Sequence, residues 1–277
     1  MTDINRIAEK LNINKRILKL VNREILLPNY IDDFNPLTDY WYPHPPCLVP
    51  LFLGYGASYK GMVKHFFCER ESTFVDYFLE DGYISETARN ADQFITRIVL
   101  RMIIIKDGLT NEIIDFCKSI DFDQYDEINQ FTLDYGDDPQ EFKNLVFFKT
   151  DKPFQDLKDL NDYHGDFPSS IFILNKGSYL KSAADVEIAA TKGLAEIEDL
   201  PPWLIESKNK KDLFDSYLSR NQLKEAWLTL NSRNWLLRDV AERLEQLKSK
   251  TNDDLLALVA DNWITGWKKS NFLDNQY

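Results

Sequence analysis

Two His-x-x-Cys pairs, His44-Pro45-Pro46-Cys47 and His65-Phe66-Phe67-Cys68, come nearest in residue type and spacing to a recognisable chemistry. Two imidazoles and two thiolates have the ligand arithmetic of a four-coordinate zinc site. Extended backbone argues against joint chelation, because residues three apart on a strand face opposite sides. Phe66-Phe67 reads as strand interior, so four separately packed side chains are expected, with no cofactor. A metal-dependent enzyme built on the 44–68 region is the alternative. Of the three histidines, His65 reads as a core residue, and His164, beside Gly165 and Asp166, as a surface one.

Gly54-Tyr55-Gly56-Ala57-Ser58-Tyr59-Lys60-Gly61 resembles a phosphate-binding loop only in its glycines. Tyr59 stands where a dinucleotide fingerprint needs its third glycine, and no Gly-Lys-Ser/Thr follows. Ser58 is not a nucleophile elbow, since Lys60 occupies the second glycine position. The segment therefore reads as a demanding turn between strands, with Tyr55, Ser58, Tyr59 and Lys60 available for outward contacts. Residues 7–18, Ile-Ala-Glu-Lys-Leu-Asn-Ile-Asn-Lys-Arg-Ile-Leu, have the pattern of two helices of a helix-turn-helix, with Asn12 at the position that favours αL. A DNA-binding unit needs a third helix, and Pro28 with the loop beyond it leaves no room. Carboxylates bracket the expected strands too densely for any pair to be singled out as an acid and base.

The elements that position these groups follow from periodicity. Apolar steps of three and four give helices near 3–11 and 14–24. A loop rich in proline and aromatics spans 35–50, and strands are expected at 47–53, 63–68 and 73–79. The strongest helix is expected from about 86 to 106, with Ser85 as N-cap and Phe94, Ile95, Ile98, Val99, Met102 and Ile103 as its apolar stripe. Another helix starts at Thr110, and strands are expected at 143–149 and 171–174. Beyond Pro201-Pro202 the pattern turns helical: 211–219, 221–230, 235–249 and 252–268. The fold class is α+β: a small twisted antiparallel or mixed sheet flanked by helices over 1–200, followed by a helical bundle over 201–277.

Charge is the most informative bulk property. The net charge is −12, but residues 31–200 carry −16 while 1–30 carry +3 and 201–277 carry +1. Such a negative surface repels nucleic acid and membranes, whose binding needs Lys and Arg against phosphate. It attracts basic proteins and speeds their encounter. No run approaches the ~20 apolar residues of a membrane span. The first residues lack a basic segment followed by an apolar one, and the three cysteines (47, 68 and 117) are too few and odd for a disulfide scaffold. A cytoplasmic protein is expected.

Leu27-Pro28-Asn29-Tyr30, followed by Phe34, resembles the opening of SUKH-type proteins, the superfamily of bacterial immunity proteins and cell-wall-assembly regulators. The order helix, Leu-Pro, strands with glycine turns, helix is similar over about 14–105, and 201–277 has no counterpart there. The resemblance implies an immunity protein, not an enzyme, that binds and blocks a toxin domain. The acidic middle suits a basic, nuclease-like partner. The expected partner contacts are Tyr40, Trp41, Tyr55, Tyr59, Asp134, Asp137, Asp138 and Asp166, because aromatic anchors ringed by charge are what tight interfaces use.

Overall fold

Five antiparallel strands run in sequence order through the first third of the chain: β1 (Asn35–Pro36), β2 (Leu48–Leu53), β3 (Ser58–Val63), β4 (Thr73–Phe78) and β5 (Tyr83–Ala88), each paired with the next. The computed structural model describes residues 4–37, 40–80, 83–153, 156, 201–205 and 207–277. Apolar side chains bury both faces of this sheet. Leu53, Tyr59, Val63, Val75, Tyr77 and Ile84 share an interior with the C-terminal helices. Phe52, Met62, Phe74 and Ala88 share another with the helices that follow the sheet.

β2 and β3 are held unusually close. Their register shifts between Pro50 and Phe52, so the proline sits at a bulge, where a missing N–H is tolerated. Gly61 lies opposite Pro50, and a Cβ there would run into the Val49 carbonyl. This pairing overturns the expected strand at 63–68: β3 ends at Val63, and Phe67 has φ +63. Phe66 leaves the ladder to pack edge-on against Trp227.

On one side of the sheet lies α3 (Ala91–Lys106), with ten of its 16 residues buried. Asn90, not Ser85, is its N-cap, accepting from the Gln93 N–H at 3.0 Å, because residues expected in the first turn belong to β5. Asp107, in the αL conformation, closes the helix. Outside α3 lie α4 (Asn111–Ser119) and α5 (Tyr125–Tyr135), which bury Ile113, Phe116, Ile128 and Phe131 against it. The strand expected at 143–149 is a pair of 3-10 turns, Pro139–Asn144 and Val146–Phe148. Phe142, Leu145 and Phe148 point inward at steps of three, the period of that helix. The strand expected at 171–174 lies outside the described residues.

On the other side lie α6 (Lys210–Ser219), α7 (Leu223–Leu230), α8 (Leu237–Lys250) and α9 (Asp254–Lys269), close to their expected positions. They share one interior with the sheet, and Asn231 ties the two together. Its side chain accepts the Cys47 N–H at 2.7 Å and donates to the Trp227 carbonyl at 2.8 Å. α1 (Ile4–Lys10) packs on α9, and α2 (Lys15–Val21) packs on α3. The turn between α1 and α2 places Asn12 at φ 53, as the pattern implied, but no third helix follows directly. Their cations face acids of the body: Lys10 meets Asp254 at 3.3 Å and Arg16 meets Asp92 at 2.6 Å. The result is an α+β fold in which no helix among the described residues is long and apolar enough to cross a membrane.

Candidate functional site

The outer helical layer presents a nearly unbroken acidic surface. Thr110 caps α4 and Gly136, with φ +66, ends α5; Asp138 then caps the following 3-10 turn, accepting from the Gln140 N–H at 2.9 Å. Because the apolar sides of α4 and α5 are spent on α3, their carboxylates must face outward. Residues 107–141 hold eleven Asp and Glu against a single cation, Lys118. Nine of those carboxylates are exposed, among them Asp134, Asp137 and Asp138. Exposed apolar side chains stand among them: Leu133 is 72% exposed and Tyr135 44%. Carboxylates that far outnumber the neighbouring cations Lys106, Lys118 and Lys143, set around a leucine and a tyrosine, offer charge steering with an apolar centre.

A second feature lies at the tip of the β2–β3 hairpin. A cleft of about 370 Å3 opens between the hairpin, the Asp32–Asp33 loop, the end of β4 and Arg101 of α3. Lys60 and Asp76 are cross-strand neighbours, and their side chains meet at 2.8 Å. Asp33 stands 3.8 Å from the same ammonium, which also lies 4.9 Å from the centre of the Phe34 ring. Tyr55, 75% exposed, forms part of the rim. Tyr55, Ser58 and Lys60 of the glycine-rich segment come together here with Asp76, one of the many carboxylates that bracket the strands, whereas nothing in the sequence singles out Asp33 or Arg101. Asp76 reaches Lys60 through the register of β3 on β4, and Asp33 and Arg101 arrive from a loop and from α3, which no local pattern announces.

The structure disperses the other expected contacts. Tyr59 is 1% exposed and cannot touch a partner; its hydroxyl accepts the Tyr42 N–H at 2.7 Å, and burial raises its pKa. Alternation along β3 turns it inward while Ser58 and Lys60 point the other way. Trp41 is half-buried over α9, edge-on to Trp263, where a Cβ on Gly266 would strike its indole. Tyr40 is exposed. Asp166 and His164 lie outside the described residues.

The four His-x-x-Cys side chains have separate surroundings. His44 is buried among Trp41, Tyr59 and Trp263, with Nδ1 2.8 Å from the Tyr42 carbonyl, so that nitrogen carries the proton. Burial lowers its pKa to about 4, against an opposing contribution from the Tyr42 carbonyl. His65 is a core residue, as expected: its Nδ1 accepts the Trp227 indole N–H at 3.2 Å. Cys47 is buried and Cys68 half-buried. Among the described residues no three His, Cys, Asp or Glu side chains form a group able to hold a metal ion.

Two buried ion pairs escaped sequence reading. Arg70 meets Glu86 of β5 at 3.4 Å, and Arg97 grips both oxygens of Asp156 at 2.6 and 2.5 Å. Arg97 also packs on Phe142 and Phe148, so this cluster anchors the 3-10 turns to α3. Both pairs join residues far apart in the chain, which spacing cannot reveal. Comparison of the chain with protein-family models, curated proteins and solved structures finds no match.

Proposed function

We propose that this protein acts by binding, docking a basic protein on its acidic helical layer and occluding it as an immunity protein occludes a toxin domain, with no turnover of its own. The observation that carries this reading is the composition of residues 107–141: eleven carboxylates, one lysine, and the exposed Leu133 and Tyr135 among them. Like charges held together cost stability, and their fields raise the encounter rate with a cationic partner. The exposed leucine and tyrosine supply the apolar centre that converts encounter into a lasting complex. The resemblance of Leu27-Pro28-Asn29-Tyr30 to the SUKH opening supports the same reading, that of a cytoplasmic immunity protein.

The test is capture from a native lysate with the tagged chain, beside an Asp134→Lys/Asp137→Lys/Asp138→Lys variant. The wild type is expected to retain a basic protein through low-salt and moderate-salt washes, and the variant to lose it. Equal capture by both, or capture of nothing that survives moderate salt, counts against the acidic layer.

A further inference from the structure

The hairpin cleft is a place where the α3 face of the sheet changes character. Ser58, Lys60 and Met62 alternate along β3 on that face, opposite Phe78, Asp76 and Phe74 of β4. Met62 and Phe74 lie in the interior beneath α3. Further along the same face, Lys60, Asp76 and Phe78 line open space instead. A volume of about 370 Å3 is enough to admit a side chain or small ligand.

Three carboxylates, Asp32, Asp33 and Asp76, and two cations, Lys60 and Arg101, line it, for a net charge of −1. Lys60 is already committed to Asp76 and Asp33. The second oxygen of Asp33, Oδ1, is buried and has no hydrogen-bond partner among the described residues. That oxygen is closed to solvent, so a ligand in the cleft meets the Oδ2 side of Asp33, which stands 3.8 Å from Lys60, beyond hydrogen-bonding distance, beside the exposed Asp32. An anion would deepen the charge imbalance, whereas one positive charge cancels it.

We propose that this cleft receives an arginine side chain of the protein partner, an inference that rests on the binding function proposed above. The planar guanidinium fork offers parallel N–H donors to the Asp33 and Asp32 carboxylates. Tyr55 and Phe78, both exposed at the rim, provide aromatic faces over which it stacks. An ammonium can supply the charge but neither the fork nor the stacking, and it would compete with Lys60 for the same oxygens.

The test is titration of the full chain with N-acetyl-arginine methylamide and with its lysine analogue, following backbone amide shifts by NMR. The arginine probe is expected to give saturable shifts at Gly54, Tyr55, Lys60 and Asp76, with a Kd on the order of millimolar for so small a ligand. Asp33→Asn and Tyr55→Ala should each weaken it by about fivefold, and the lysine analogue should bind more weakly than arginine. Tyr55 is exposed, so its replacement keeps the test valid if Asp33→Asn disturbs folding. Absence of saturable shifts at these amides, equal affinity for Tyr55→Ala and wild type, or equal binding of lysine and arginine would overturn the proposal. The titration uses no partner, so its failure refutes the cleft alone; failure of capture beside a saturable titration refutes the acidic layer and leaves an arginine site without the proposed partner.

Discussion

The two helical regions flanking the sheet use their side chains in opposite ways. The C-terminal helices, 210–269, sit in a region of net charge +1 and direct their tryptophans inward. Their indole N–H groups are matched to oxygens or to an imidazole: Trp263 donates to the His44 carbonyl at 2.9 Å, Trp235 to the Thr229 carbonyl at 2.8 Å, and Trp227 to His65. The α4–α5 layer buries only the residues needed to adhere to α3 and leaves its acids, with Leu133 and Tyr135, in solvent. One region is committed to holding the sheet. The other sets most of its carboxylates in solvent, where their mutual repulsion opposes the fold, which makes sense if they face a partner.

Substitution at matched positions breaks the comparison most sharply. Trp263→Ala leaves a large cavity between α9 and the 41–44 loop and removes the bond to the His44 carbonyl, so a loss of about 3–5 kcal/mol is expected in denaturant unfolding. Leu133→Ala should leave stability within about 0.5 kcal/mol and weaken retention of the captured protein. Comparable destabilisation by the two changes would remove the distinction.

Acid should act on the same interior before it acts on the outer layer. His44 titrates near 6.5 in the unfolded chain and is lowered to about 4 in the fold by burial. The unfolded state therefore binds more protons between those values, so stability falls as pH drops through that window. About 2 kcal/mol should be lost between pH 7.5 and pH 5 from this group alone. His44→Leu should flatten that part of the curve, while the carboxylates contribute equally in both proteins. An unchanged difference between wild type and variant across the window would show that the interior admits the proton.

Gly266 sharpens the contrast through a change of sign. Replacing a helix-interior glycine with alanine ordinarily gains about 1 kcal/mol. On α9 the added Cβ meets the Trp41 indole, and overpacking costs about 1–3 kcal/mol, so a net loss of about 1 kcal/mol is expected for Gly266→Ala. Thermal unfolding with tryptophan emission would register both the loss and the displaced indole; a rise in melting temperature would show the 41–44 loop yielding at no cost.

What was legible follows the same division. Helices with one apolar side, such as α3 and the four near the C-terminus, announce themselves because amphipathic period and burial coincide. β3 did not, because Ser58, Lys60 and Gly61 serve a turn, a charge pair and a close backbone approach, and none looks like a strand. Phe66-Phe67 looked like one and is not: one ring plugs the helical side, and the next backbone is left-handed. Residues 143–149 read as a strand because Leu145 to Phe148 is a short apolar run, while the inward spacing of three from Phe142 through Leu145 to Phe148 belongs to 3-10 turns. The acidic layer was visible as composition, since exposed charge needs no partner to be noticed. The cleft was not, because it exists only once β3, β4, α3 and the 32–33 loop converge.

A small stability effect carries the most direct evidence on that acidic layer. Asp137 and Asp138 are exposed, and among the described residues their side chains make one bond, the cap that Asp138 provides for the Gln140 N–H. Asp137→Lys/Asp138→Lys should therefore change unfolding free energy by no more than about 1 kcal/mol, the loss of one cap. Association with a captured basic partner should slow by about tenfold at low ionic strength, since long-range attraction acts before contact. At about 1 M salt the Debye length shrinks to roughly 3 Å, and wild type and variant should associate at similar rates. A dissociation rate that rises while the association rate holds would make these residues short-range contacts rather than steering charges. An association rate unmoved at any salt, with dissociation also unchanged, would take this end of α5 out of the interface and leave Leu133 and Tyr135 exposed for no purpose the charges explain.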